Sequence, residues 1–298
     1  MNKTNDISPE TMPDTVSKVR CVSRHGFHDV AYSDWGDPDA QDCLVCVHGL
    51  TRNARDFDQV AQALSPQMRV ICADLAGRGQ SDWLRDASDY NLLQYNMDMT
   101  TLLARTGLPQ VDWLGTSLGG LIGISLAGME GSPIRRLIIN DVAPEIPYAA
   151  LRRITSYVQT KTEFETLDDV EAHLRETLSP FGPMTNDDWA KMARTSAFET
   201  ETGYHQHHDP GIISNFRRYF MFMHFNIWKY WDAITCPVLI LRGTQSDFLT
   251  ERLRDKMLER LPHASVIEFD GIGHVPTLNT PSQINEIKEW LADTDDQK

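Results

Sequence analysis

Apolar runs and amphipathic segments alternate along residues 42–142. Four continuous apolar runs, which we interpret as strands, cover 42–49, 68–75, 111–117 and 135–142. Segments that favour helices lie between these runs, at 55–64, 91–105 and 118–129. Because continuous apolar runs suit strands covered on both faces, the alternation predicts a parallel sheet with right-handed crossovers.

Different patterns flank this region. Residues 18–24 and 28–35 alternate weakly around His25-Gly26, which predicts an antiparallel hairpin or meander. Residues 145–231 show no clear buried strand, and their candidate helices are 148–160, 166–178, 186–196 and 212–224. Strand patterns return at 236–243 and 264–271, with helices near 250–260 and 281–293. We therefore predict an α/β core (18–144 and 232–298), a helical cap inserted at 145–231, and a polar N-terminal tail (1–17).

Charge and composition narrow the class of partner. The 298 residues include 42 acidic and 28 basic side chains, for a net charge of -14, which disfavours binding to nucleic acid or to anionic membranes. The N-terminus has no apolar signal-peptide core, and the apolar stretch 216–231 is too short and too charged to span a bilayer. These features predict a cytoplasmic protein with a small-molecule partner, and they leave monomer and homodimer open.

Five cysteines, an odd number without framework spacing, indicate free thiols in a reducing compartment. Cys43 and Cys46 have the spacing of a redox motif, but they lie in the predicted strand CLVCV. Residues three apart on a strand point to opposite faces, so we expect no disulfide between them.

Gly115-Thr-Ser117-Leu-Gly119 is the strongest candidate for chemistry. An apolar strand precedes it and a small-residue helix follows, which is the setting of a G-x-S-x-G nucleophile turn. The glycines admit a sharp turn that exposes the serine hydroxyl, and the helix N-terminus favours developing negative charge. We predict that Ser117 is the nucleophile.

A serine nucleophile needs a base, and His274 is the best placed of ten histidines. It lies in a glycine-rich loop directly after a predicted strand, at the edge where open α/β sheets bind ligands. We interpret His48, which ends another strand, as structural. The bunched His205, His207 and His208 have no second ligand cluster nearby and favour an exposed polar turn over a metal site.

The base needs an orienting carboxylate, for which two aspartates compete. Asp247 follows the strand 237–242 in a turn-rich loop, and we favour it. Asp141, at the end of the strand 135–141, remains the alternative because it could reach the same histidine. Asp74 also ends a strand and is interpreted as structural. For the oxyanion we predict the backbone amides of Leu118 and of Leu50, in the loop after the first apolar strand.

Five motifs in this order resemble the α/β-hydrolase superfamily, in its lidded, esterase-like branch: HGLTRN (48–53), DLAGRGQSD (74–82), GTSLGG (115–120), RGTQSD (242–247) and GIGHVP (271–276). The resemblance implies an eight-stranded, mostly parallel sheet flanked by helices, with a helical cap after the sixth strand and no cofactor or metal. Serine at position 117 departs from the members with aspartate there, which are dehalogenases and epoxide hydrolases.

These features predict a serine carboxylesterase for small or medium apolar esters, with polyester oligomers, lactones and thioesters left open. The aromatic and methionine-rich segment 216–231 predicts an apolar acyl or alcohol pocket, with Phe222 and Met223 as candidates. A carbon–carbon hydrolase of ring-cleavage products is an alternative, in which Arg217 and Arg218 would hold a substrate carboxylate. A cofactor-free perhydrolase and a non-catalytic ligand receptor on the same fold also remain open.

Overall fold

The computed structural model describes residues 13, 15–148, 150, 152, 162–213 and 225–295. Its centre is an eight-stranded sheet in the order β1-β2-β4-β3-β5-β6-β10-β11. The strands of this sheet are β1 (Thr15–Ser23), β2 (Gly26–Trp35), β3 (Cys43–Val47), β4 (Arg69–Ala73), β5 (Val111–Thr116), β6 (Ile134–Asn140), β10 (Val238–Gly243) and β11 (Ala264–Phe269). A second sheet contains β7 (Glu163–Phe164), β8 (Ala197–Thr200) and β9 (Gly203–Gln206).

Helices cover the large sheet and form part of the insertion. In chain order they are α1 (Asp58–Leu64), α2 (Leu92–Thr106), α3 (Leu118–Ala127), α4 (Leu167–Thr177), α5 (Asn186–Ser196), α6 (Trp228–Trp231), α7 (Glu251–Arg260) and α8 (Pro281–Asp295). In the described part of the chain, no helix is both long enough and apolar enough to cross a membrane.

The large sheet confirms the predicted fold class. All neighbouring strands from β4 to β11 pair in parallel, whereas β1 and β2 form an antiparallel hairpin and β2 joins β4 antiparallel. The hairpin turns between Ser23 and Gly26, and the φ of 132° at Gly26 is one that side-chain-bearing residues rarely adopt.

Alternate residues of the central strands pack on opposite faces of the sheet. Cys43 belongs to the core cluster on one face and Cys46 to the cluster on the other. All five cysteines are free thiols, which agrees with the expectation that Cys43 and Cys46 do not pair. Fully burying a leucine or isoleucine side chain contributes roughly 1.5–3 kcal/mol, so the two apolar clusters account for much of the fold's stability.

The insertion between β6 and β10 is only partly helical. The predicted helices 166–178 and 186–196 are confirmed as α4 and α5, each begun by a reciprocal capping box, Thr166 with Asp169 and Thr185 with Asp188. The described segment has no strand that is buried throughout, as expected, but the structure adds a small sheet that a helical cap does not imply: β7, β9 and β8 form a three-stranded antiparallel sheet. These strands have only two to four residues and are largely solvent-accessible, so no run of alternating apolar residues marks them.

Other predicted features of the insertion lie outside the described residues. These are most of the predicted helices 148–160 and 212–224, together with Arg217, Arg218, Phe222 and Met223. The described part of the insertion packs on the loops that follow the parallel strands. Asn53 Nδ2 donates to Thr195 O, and Gly273 N–H donates to Pro180 O.

Candidate active site

Ser117 occupies the sharp turn between β5 and α3. Its backbone has a φ of 49°, which is unusual for a residue with a side chain. Ser117 N–H donates to Asn140 O at 2.9 Å, and Leu121 N–H donates back to Ser117 O at 3.0 Å. These bonds tie the turn to both the neighbouring strand β6 and the first turn of α3, so the strained conformation is supported from two sides.

The glycines on either side of Ser117 are required by space. A Cβ added at Gly115 would lie 2.2 Å from Gly119 O, and one added at Gly119 would lie 2.0 Å from Val47 O. Both distances are far inside van der Waals contact, and the clashing atoms belong to the backbone. The G-x-S-x-G pattern is therefore a packing requirement of this turn as well as a sequence motif.

His274 lies beside the Ser117 hydroxyl, as the sequence predicts. Its Nε2 is 3.2 Å from Ser117 Oγ, across 157 residues of sequence. Its ring stacks on Phe248, with ring centroids 4.1 Å apart and an angle of 19° between the planes. Phe248 is not evident from the sequence, because a single aromatic residue in a loop carries no signal for this contact.

Asp141, not the favoured Asp247, holds His274. The Asp141 Oδ2 atom lies 2.7 Å from His274 Nδ1, and the carboxylate is fully buried. A carboxylate only accepts, so Nδ1 carries the hydrogen and Nε2 is left to accept from Ser117. The preference for Asp247 is wrong because its side chain is exposed on the loop after β10.

The loop after β10 contributes a hydroxyl where a carboxylate was expected. Ser246 Oγ donates to Asp141 Oδ2 at 2.6 Å, and Gly243 N–H donates to Asp141 Oδ1 at 3.2 Å. Asp141 itself has a φ of 57°. The loops after β6 and β10 thus meet at the Asp141 carboxylate. This buried group accepts hydrogen bonds from Ser246, Gly243 and His274.

The loop after β3 lies against the Ser117 turn. A Cβ added at Gly49 would be 3.7 Å from Ser117 Cβ, and Gly119 N–H donates to His48 O at 3.2 Å. The amides of Leu50 and Leu118, predicted to bind the oxyanion, donate no hydrogen bond to any described residue. The Leu118 amide adjoins Ser117 in the chain, and the Leu50 amide follows Gly49 in the loop that lies against it.

His48 orients the peptide that carries the Leu50 amide. His48 Nε2 accepts from Leu75 N–H at 3.0 Å, so Nδ1 carries the hydrogen and donates to Gly49 O at 2.7 Å. In a trans peptide the N–H points opposite to the C=O, so holding Gly49 O fixes the direction of Leu50 N–H. Burial lowers the pKa of His48 to about 3, and the imidazole stays neutral in the native state.

Asp74 and Arg78 stabilise the same loop through hydrogen bonds to its backbone. Asp74 accepts from Ala54 N–H at 2.7 Å and from Gln80 N–H at 2.9 Å, and burial raises its pKa to about 6. Arg78 Nε donates to Leu50 O at 2.8 Å. These contacts agree with the structural role that we predict for Asp74, whereas Arg78 carries no signal in the sequence beyond its place in a motif.

The three bunched histidines do not form an exposed turn. His205 belongs to β9, and His208 is only 4% exposed. In the described part of the chain, the metal-binding atoms that converge belong instead to Cys21, His28 and Asp98, which are buried between β1, β2 and α2. Their closest contact, His28 Nε2 to Asp98 Oδ1 at 3.1 Å, ties β2 to α2.

A cleft lies between the insertion and the loops near Ser117. Its apolar lining comes from Phe181, Met184 and Met192 of the insertion and from Val275 and Pro276 after His274. Thr116, which precedes Ser117, also lines it, together with charged side chains of both signs: Arg52, Arg55, Asp56, Asp58, Asp188 and Lys191. The cleft therefore offers both apolar and charged contacts near the aligned serine and histidine, and that aligned pair can activate a serine hydroxyl.

Comparison with known proteins agrees with this geometry. A family model described as the alpha/beta hydrolase fold matches residues 42–281. A 3-hydroxybutyrate-oligomer hydrolase of Cupriavidus necator is 42% identical over 274 residues, which cover 89% of this chain and 94% of that protein. Solved structures of a Rickettsia typhi protein (TM-score 0.88, 28% identity) and of an α/β hydrolase from Novosphingobium aromaticivorans (TM-score 0.82, 31% identity) each cover 94% of this chain and 99% of their own.

Proposed function

The chain belongs to the α/β-hydrolase family and hydrolyses ester bonds, and we propose that it does so through an acyl-enzyme formed on Ser117. Two consecutive hydrogen bonds carry this proposal. One joins Ser117 Oγ to His274, and the other joins His274 to Asp141. This arrangement contains a nucleophile, a base that contacts it, and a buried acid that fixes the tautomer of the base.

The proposed reaction has two halves. His274 Nε2 takes the Ser117 proton as Ser117 Oγ attacks the ester carbonyl carbon, and the amides of Leu50 and Leu118 stabilise the oxyanion. His274 then gives the proton to the leaving alcohol. A water molecule that His274 deprotonates attacks the acyl-enzyme, which releases the acid and restores Ser117. Asp141 keeps Nδ1 protonated throughout and stabilises the imidazolium.

We propose short hydroxyacyl esters, including 3-hydroxybutyrate oligomers, as substrates. The 42% identical relative supports this class, and the cleft near Ser117 offers both apolar and charged side chains, which suits short esters that carry polar groups. The carbon–carbon hydrolase alternative depends on Arg217 and Arg218, which lie outside the described residues, and it is not proposed here.

The test is hydrolysis of p-nitrophenyl esters from acetate to dodecanoate and of the 3-hydroxybutyrate dimer. Wild type should hydrolyse the dimer and the shorter esters, Ser117→Ala should lose turnover by at least about a thousandfold, and the exposed control Ser282→Ala should match wild type. Undiminished turnover in Ser117→Ala would contradict the acyl-enzyme. A folded wild type that cleaves no ester would contradict the proposed function as a whole.

A further inference from the structure

A second pocket lies between the insertion and the loop that carries Leu50. Its polar lining consists of Thr51, Arg52, Ser196, Gln206 and His208, and α4 closes it with both polar and apolar side chains. No described residue of its lining is a carboxylate. We call it the cap pocket. Its hydrogen-bond donors and its lack of carboxylates suit an anion or another hydrogen-bond acceptor.

His208, which lines the cap pocket, has a buried ring nitrogen without a hydrogen-bond partner. The residue is 4% exposed, and its Nε2 meets no acceptor or donor in the structure. Leaving a buried polar group unpaired costs about 1–3 kcal/mol, so such groups are rare unless a ligand or water completes them. An acceptor bound in the cap pocket would satisfy an Nε2–H of His208.

Arg78, which lies over the rings of Tyr90 and Tyr95, brings a positive charge without an ion-pair partner among the described residues. It pairs with His208 in an antiparallel bridge, and its side chain is fully buried. Its guanidinium donates to the carbonyls of Leu50 and Ala76 and to the Tyr95 hydroxyl, while its Nη2 atom has no hydrogen-bond partner. No carboxylate of the described residues forms an ion pair with it. A buried cation without a counter-ion favours a bound anion nearby.

Arg52 and Ser196 supply donors directly at the pocket. The Arg52 guanidinium donates to Asp56 from its Nε and to Ser196 Oγ, at 2.7 Å, from its Nη1. Since Ser196 Oγ accepts this bond, its own O–H remains for another acceptor. The Arg52 charge is shared with Asp56, whereas no carboxylate of the described residues forms an ion pair with Arg78.

The length of a hydroxyacyl ester is comparable to the spacing between the Leu50 amide and the cap pocket's nearest residue along the chain, Thr51. In a 3-hydroxybutyrate ester dimer, four bonds separate the scissile carbonyl carbon from the terminal carboxylate carbon, a reach of about 5 Å. Thr51 directly follows Leu50, and consecutive Cα atoms are about 3.8 Å apart. The leaving hydroxy acid is thus long enough to extend from a carbonyl at the Leu50 amide past the neighbouring Thr51, which lines the cap pocket.

We infer that the cap pocket binds the free carboxylate of the hydroxy acid that leaves when the ester is cleaved. This inference rests on the proposed function and narrows it to esters that end in a carboxylate, cleaved at the bond next to that end. In this account Arg52, Ser196 and His208 donate to the carboxylate, and the charge of Arg78 stabilises it.

The test compares two substrates with the same scissile bond, the 3-hydroxybutyrate dimer and its methyl ester. Wild type should prefer the free acid by at least about tenfold in kcat/KM, the size expected for hydrogen bonds to a charged group. Ser196→Ala and His208→Leu should both lower this ratio toward one. The matched control is His205→Leu, which changes another histidine of the insertion that does not line the pocket and should keep the wild-type ratio.

A binding measurement separates the pocket from catalysis. Calorimetric titration of Ser117→Ala with 3-hydroxybutyrate should give a dissociation constant that weakens at least about fivefold when Ser196→Ala is added. Ester cleavage by wild type with no preference for the acid would overturn the carboxylate site and leave the proposed function intact. Absence of cleavage of both substrates would overturn both. A ratio that falls equally in His205→Leu would also contradict the assignment.

Discussion

Asp141 and His274 are joined by a 2.7 Å hydrogen bond between Oδ2 and Nδ1, and both side chains are at least 95% buried. Asp141 follows β6 and His274 follows β11, so the bond crosses over the intervening strand β10. Ser246, in the loop after β10, donates to the same carboxylate oxygen of Asp141. The imidazole is therefore held by the fold, and its Nε2 faces Ser117 before any substrate binds.

We predict that Asp141→Asn lowers kcat by about a thousandfold or more, because an amide cannot hold the tautomer that presents Nε2 as an acceptor. Asp247→Asn should stay within about threefold of wild type, since its side chain is exposed and both ring nitrogens of His274 have other partners. Steady-state kinetics on one p-nitrophenyl ester measures both variants. Equal losses of kcat in the two variants would show that Asp247 also takes part in catalysis.

Gly115→Ala should destabilise the protein by more than about 3 kcal/mol or prevent folding, because the new Cβ would overlap the Gly119 carbonyl at 2.2 Å. Gly107→Ala is the matched control. Its φ is 75°, but no atom lies within 4 Å of the added Cβ, so the cost should be about 1 kcal/mol. Urea unfolding measures both. A Gly115→Ala protein as stable as Gly107→Ala would contradict the packing of the turn.

His48→Phe should lower kcat by about ten- to a hundredfold while changing KM little, a smaller loss than removal of an oxyanion donor. The substitution removes the Nδ1–H bond to Gly49 O that fixes the Leu50 amide. Kinetics on the folded fraction, determined by circular dichroism, provides the measurement. An unchanged kcat would show that the loop keeps its orientation without the imidazole.

Burial lowers the pKa of His208 to about 3 from an ordinary value of 6.5. Between these values the unfolded chain binds a proton that the native state does not, so the free energy of unfolding falls as the pH drops below 6.5. At pH 5 the loss amounts to about 2 kcal/mol. His208→Leu should therefore shrink the stability difference between pH 7 and pH 5 by that amount in urea titrations. The exposed control His263→Leu should not, and equal pH dependence in the two variants would contradict a neutral His208.

Much of the core could be predicted from the sequence because local signals agree with the tertiary structure there. The segment 111–117 is confirmed as β5, since continuous apolarity is required where helices cover both faces. The prediction of a helix over 91–105 is within one residue of α2, which follows Asn91 at its N-terminus and is followed by Gly107, with a φ of 75°, at its C-terminus. Those two residues are the capping types that such positions require.

The rest depends on contacts between distant segments. Asp141 and Asp247 both follow strands that end at the same edge of the sheet, and no local pattern separates them. The choice is made by the direction of the backbone, which points Ser246 inward and leaves Asp247 exposed. The unpartnered atoms of Arg78 and His208 are likewise visible only once the insertion is packed on the core.

Mass spectrometry of the trapped acyl-enzyme tests the central claim most directly. The protein is mixed with a p-nitrophenyl ester, quenched in acid during turnover and digested, and the peptides are mapped. We predict an acyl group on the peptide that contains Ser117, and none in Ser117→Ala. Turnover that continues in Ser117→Ala, or an acyl group that maps to another side chain, would contradict Ser117 as the nucleophile.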